Sequence, residues 1–281
     1  MAAALVFAAA SLCVSGCSIQ NLGYVGMGVG DFTTTWTVGS CHRLDQPEEV
    51  DPVFPSDTSP AVPCYTPHES ETYAVVPLTG PIAAYATRPS PLVLEHALSG
   101  ACSWNAMSSF LGAQPIDALL NVGVLQILPS QPEWKRGVRQ IRCDALIGPR
   151  SSESVASIDR SLHSILSEPA GDRFRVCRSD GQEVGCDQPH DAELMNVWTQ
   201  FAPPRTAAAL KVQKQKVLAF CRQNEARYLG AQPAAGANIA VQAGLPTYPP
   251  TTGEETGQCW LADGKERPWT GSLRSGVKAL P

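Results

Sequence analysis

The chain has 281 residues, 43% of them hydrophobic, and a formal net charge of −5 at pH 7. That length suits two domains of ordinary size, and the apolar share suits packed cores rather than disorder. The acidic balance argues against nucleic acid as a partner, and no polybasic patch addresses a lipid surface.

The first segment, "MAAALVFAAASLCVSGC", is apolar and rich in small residues up to Cys17. It is short for a membrane span and has the character of a signal-peptide core. Val14-Ser15-Gly16-Cys17 resembles a bacterial lipobox. That resemblance implies a signal peptide over 1–16, cleavage before Cys17 and acyl chains on the new N-terminus. The mature chain is then expected on the extracytoplasmic face of the cell membrane, held by its lipid. At roughly 0.8 kcal/mol per buried CH₂, two or more acyl chains anchor stably. The segment departs from the usual pattern in having no Lys or Arg ahead of the apolar run. Residues 17–31 read as the lipidated N-terminus and a flexible tether; Gly26, Gly28 and Gly30 lack the strand and helix that flank a phosphate loop.

With Cys13 removed and Cys17 lipidated, eight cysteines remain: Cys41, Cys64, Cys102, Cys143, Cys177, Cys186, Cys221 and Cys259. An even number on an exported chain predicts four disulfides, and the count alone leaves 105 connectivities open. Internal similarity narrows them. "VPCYTPHESE" (Val62 to Glu71) and "VGCDQPHDAE" (Val184 to Glu193) share V-x-C-x-x-P-H-x-x-E. Further on, "FLGAQP" at Phe110 matches "YLGAQP" at Tyr228, and "LPSQP" at Leu128 matches "LPTYP" at Leu245. Ser161-Leu162 pairs more weakly with Ser272-Leu273. Each half thus holds four cysteines in the same order. This predicts a duplicated domain, 32–166 and 172–281, joined at Ser167 to Gly171.

In each copy a strand-like run comes first, "TTTWTVGSCHRL" or "DRFRVCRSDGQEVGC". Ser-Asp-Gly within the second signals a hairpin. Strand-like "ETYAVVPL" and "ELMNVWTQF" follow the histidines. One helix is then predicted over Pro91 to Gly112 and one over Pro204 to Gly230, opened by proline and closed by glycine. A long segment containing Pro and Gly leads to a last strand, "GVRQIRCDAL" or "TGQCWLAD". The expected class is α+β, two tandem copies of a small antiparallel sheet with one main helix. The most natural pairing is Cys41–Cys64 and Cys102–Cys143, with Cys177–Cys186 and Cys221–Cys259 as its equivalents. The first bond of each set would staple the hairpin; the second would tie the helix to the last strand.

Taken together, "VGSC" at Val38, "VPCYTPHESE", Cys102 with "FLG" and "PEWKRGVRQIRC" at Pro132 resemble the septum-formation domain of actinobacterial envelope proteins. So do "VGCDQPHDAE" and the closing "CWLADGKERPWTGSL" from Cys259 to Leu273. The second copy has no tryptophan matching Trp134. The resemblance implies an association with cell division and no defined chemistry.

Cys-x₃-His with a following glutamate has the elements of a zinc half-site, but zinc needs thiolates and export oxidises them. His68 with Glu71, and His190 with Glu193, are therefore read first as a structural corner and second as a ligand site. No metal, cofactor or catalytic residue is assigned, since no nucleophile elbow or H-E-x-x-H is present. The acidic run Asp45 to Asp51 reads as a solvated loop. The expected function is a non-enzymatic binding or scaffolding module, its partner an envelope or division protein or a cell-wall component. The alternatives are an enzyme acting on cell-wall polymers and a metal-binding protein.

Overall fold

Proline at Pro67 and Pro189 forbids helix at the residue before it, so the chain leaves each C-x-x-P-H corner extended. In a computed structural model of the protein, strand β2 (Ser70–Pro77) follows the first corner and β7 (Ala192–Phe201) the second. Residues 36–44, 56–90, 93–94, 98, 100–148, 156–201, 204, 206–230, 239–244, 255–265 and 267–274 are described. Cys17, the signal-peptide and tether segments and the acidic run at 45–51 lie outside them.

The described residues form two antiparallel sheets. β1 (Cys41–His42), β2, β3 (Val122–Ile127) and β4 (Gln140–Ile147) make the first, in the order β1-β2-β4-β3. β5 (Val176–Ser179), β6 (Gln182–Gly185), β7, β8 (Ile239–Gly244) and β9 (Glu255–Asp263) make the second, in the order β6-β5-β7-β9-β8. The β5–β6 hairpin turns at Asp180-Gly181, the signal seen in the sequence. The class is α+β.

Two features differ from the sequence reading. β3 and β8 lie in the segments taken as irregular connections. Val122–Ile127 carries a glycine and Ile239–Gly244 is alanine-rich and half-buried, so neither shows a clean alternation. The helix expected over Pro91 to Gly112 is broken. Val93, Leu94 and Leu98 are helical, the chain turns at Gly100 with φ of 81°, and helix α1 (Trp104–Phe110) restarts beyond it. The Ser103 hydroxyl accepts from the Ala106 N–H and caps that restart. A short helix α2 (Gln131–Lys135) carries a capping box between Ser130 and Glu133. Helix α3 (Ala207–Leu229) forms as one piece, capped by Thr206.

Tyr73, Leu94, Met107, Leu111, Trp134, Ile141 and Phe174 are among the buried core of the first sheet. α3 covers the second sheet with Val217, Cys221 and Tyr228. It packs very close to β9: a Cβ at Gly257 would stand 2.7 Å from a Val217 methyl, so no larger residue fits there without a shift. Four disulfides join Cys41 to Cys64, Cys102 to Cys143, Cys177 to Cys186 and Cys221 to Cys259.

The two sheets belong to one compact unit beginning at Trp36. Residues 116–120, between α1 and β3, run along the second sheet. Asp117 bridges to Met195, and Leu119 to Arg175. Ile116 packs in the core under α3, and Ala118 against Val176, Ala192 and Trp260. Asp117 ties this segment down, pairing its charge with Arg175 at 2.7 Å and accepting from Arg274 at 3.0 Å with its own side chain almost fully buried.

Candidate functional site

Each C-x-x-P-H corner is built from a cystine, a histidine and a glutamate held in register by the sheet. Cys41 stands opposite Glu71, and Cys177 opposite Glu193, across neighbouring strands. The cystine partners Cys64 and Cys186 sit at the corner itself. His68 exchanges backbone hydrogen bonds with Ile158, and His190 does so with Trp269. Each histidine Nδ1–H donates at 2.7 Å to the carbonyl two residues earlier, Thr66 or Gln188. A carbonyl only accepts, so the proton is on Nδ1 and Nε2 carries a lone pair. Both rings are fully buried, and neither Nε2 has a hydrogen-bond partner. The His190 ring also meets Trp269 edge-on at 4.4 Å.

The glutamates are met by matching donors. Glu71 accepts from the Ser161 hydroxyl at 2.9 Å and from the Leu162 N–H. Glu193 accepts from the Ser272 hydroxyl at 2.5 Å, the Leu273 N–H at 2.6 Å and the Tyr228 hydroxyl at 2.7 Å. Burial pushes both carboxyls above their ordinary range, against the pull of these donors. Burial also lowers His190, keeping its ring neutral.

A ligating atom from each of Cys177, Cys186, His190 and Glu193 lies within 4.8 Å of the others, and likewise for Cys41, His68 and Glu71. These sulfurs are bonded to one another as cystines and offer no thiolate. Each glutamate is already engaged. One imidazole per corner is too little for a four-coordinate zinc site.

A second polar cluster was not evident in the sequence, because its members are far apart along the chain. In the first sheet Ser40, His42, Asp57, Arg142 and Asp144 converge. Arg142 is buried and holds Asp57 at 2.6 Å and Asp144 at 2.8 Å. His42 Nδ1 is 3.8 Å from Asp57, and its Nε2 is 2.9 Å from the Ser40 hydroxyl. Serine, histidine and aspartate in contact suggest an activated nucleophile, but the protons run the wrong way. Arg142 Nη1 is 3.2 Å from His42 Nδ1 and can only donate there. The histidine proton is therefore on Nε2, which gives it to Ser40, while Ser40 donates to the Thr37 carbonyl at 2.7 Å. A general base needs a free Nε2 lone pair facing the hydroxyl. Burial, and then the Arg142 charge, lower His42 to about 4, so the ring is neutral.

Between the two corners lies an open cleft of about 490 Å³, lined by Pro67, Ile158, Arg160, Pro169, Arg173 and Asp187 among others. Pro67 precedes His68, and Asp187 follows Cys186, so each corner contributes to the rim.

The family model for septum formation matches residues 38–255. The chain belongs to the septum-formation family. In this family member one continuous match crosses both sheets, from the turn before β1 to the first residue of β9. Cys259 and the Trp269, Ser272 and Leu273 contacts of the second corner lie beyond it. Neither a curated protein nor a solved structure matches the chain. No described helix is long and apolar enough to cross a membrane.

Proposed function

We propose that this protein is a lipid-anchored, extracytoplasmic component of an actinobacterial envelope that serves septum formation and cell division as a non-enzymatic binding or scaffolding module. The family match carries the reading. The lipobox-like Val14 to Cys17 supports the anchor. The proton directions at Ser40 and His42, together with the oxidised cysteines of both corners, favour a binding module over an enzyme acting on cell-wall polymers.

The two halves are tandem copies of one unit in this reading. Its support is the matched set of contacts: a cystine across the first strand pair, a histidine paired to a later backbone segment, and a glutamate closed by Ser161-Leu162 or Ser272-Leu273. The corners are structural, holding the entry to β2 and β7. Localisation of the tagged protein in dividing cells, with palmitate labelling and cross-linking in isolated envelopes, tests the whole proposal. The expected result is label on Cys17, loss of label in Cys17→Ser and enrichment at the septum. An unlipidated cytosolic protein with eight reduced thiols would overturn it.

A further inference from the structure

The cleft between the corners has a lining that selects for one kind of ligand. Two guanidinium groups, Arg160 and Arg173, and two carboxylates, Asp159 and Asp187, face it over a floor that includes Ile158 and Pro169. Its volume falls in the range of small-molecule sites. Among the described residues Arg160 meets just its chain neighbour Asp159, at 3.9 Å, the outer limit of an ion pair. Arg173 lies over the Phe174 ring at 5.4 Å and has no carboxylate partner among the described residues. Among the described residues Asp187 receives one long hydrogen bond, from the Gln188 amide at 3.4 Å. These charges are not neutralised by one another in the way that Asp117, Arg175 and Arg274 are.

The lining is charge-balanced, so a ligand of a single sign meets repulsion from half of it. A polyanion is opposed by Asp159 and Asp187, and a polycation by Arg160 and Arg173. A molecule carrying a carboxylate, an ammonium group and small apolar side chains satisfies all of it. Guanidinium groups suit carboxylates in particular, with paired donors in a fixed fork. The rim is also pre-set. Pro67 and Asp187 are each anchored next to a corner stapled by a disulfide, which lowers the ordering cost of binding.

We infer that this cleft binds a short zwitterionic peptide, its terminal carboxylate on Arg160 and Arg173 and its free amine on Asp159 and Asp187. The inference rests on the binding-module reading above and gives it a ligand class. Calorimetric titration of the oxidised protein with trialanine, N-acetyl-trialanine and trialanine amide tests it. Trialanine is expected to bind, and each blocked form to bind at least about tenfold more weakly. Arg173→Ala should weaken trialanine and leave the amide unaffected; Asp187→Asn should weaken trialanine and leave the acetylated form unaffected. Arg222→Ala, on the exposed side of α3, should change nothing, and melting curves check that every variant is folded. The inference is overturned if all three probes bind equally, if the cleft variants bind as the parent does, or if no probe binds up to about 10 mM. Loss of peptide binding in Arg173→Ala with septal localisation intact would separate this cleft from the wider role. Peptide binding by a protein absent from the envelope would instead sink the wider role alone.

Discussion

Arg142 sits almost wholly out of water with two carboxylates and a histidine around it, and its neighbours inherit its charge. His42 is held near 4, so the folded chain refuses a proton that the unfolded chain takes up below about 6.5. Stability is therefore full above that pH and is lost as pH falls toward 4, by up to about 3 kcal/mol. Glu71 and Glu193 act in the opposite sense, since their raised carboxyls bind a proton more readily in the fold. Urea melts across this range should show the slope, and His42→Gln, which keeps hydrogen-bonding groups but does not titrate, should flatten it. At the second corner, Glu193→Gln turns one oxygen into an amide among three donors. It should cost about 1–3 kcal/mol through unsatisfied groups, read as a lower denaturation midpoint. The histidines and glutamates of the corners were visible in sequence because they recur at fixed spacing beside cysteines. Their donors, Ser161-Leu162 and Ser272-Leu273, showed only as a two-residue match between the halves, and nothing local tied them to the glutamates: Ser161 is 90 residues from Glu71. The Arg142 cluster was invisible for the same reason, with Asp57 85 residues away.

Strands that begin at the corners could be read from their apolar, β-branched runs, and α3 from its unbroken length between Pro204 and Gly230. β3 and β8 could not, because the strands pairing with them, β4 and β9, supply the pattern that their own glycine and alanine residues lack. The break before α1 comes from a backbone angle at Gly100 and a cap at Ser103, which a run of helix-tolerant residues conceals. The four disulfides were legible from the even number of cysteines left once Cys13 and Cys17 were set aside. The bonds differ in reach: 38 residues separate Cys221 from Cys259, and only 9 separate Cys177 from Cys186. In the chain-entropy account, removing the longer link costs about 1 kcal/mol more than removing the shorter. Paired Cys→Ser variants, compared by denaturant midpoint at equal slope, check this ordering.

At the scale of the whole chain, the first half is completed inside the second. Residues 116–120 close the gap between the sheets, and Asp117 holds both Arg175 and Arg274. Asp117→Ala leaves buried Arg175 without its carboxylate and should cost about 3–5 kcal/mol, the usual penalty for breaking a buried pair. It should also loosen the coupling of the sheets, seen as unfolding monitored at Trp260 and at Trp134 no longer coinciding. Sequence similarity between the halves pointed to separate copies and gave no hint of this shared segment, since a few residues lent by one half to the other's sheet leave no periodic trace. The arrangement sets a timetable for synthesis. The ribosome delivers Asp117 early, yet its last partner, Arg274, follows 157 residues later. Until β5, β7, α3 and β9 emerge, Ile116 and Ala118 stay uncovered, so the nascent N-terminal half carries exposed apolar surface while the remainder is made.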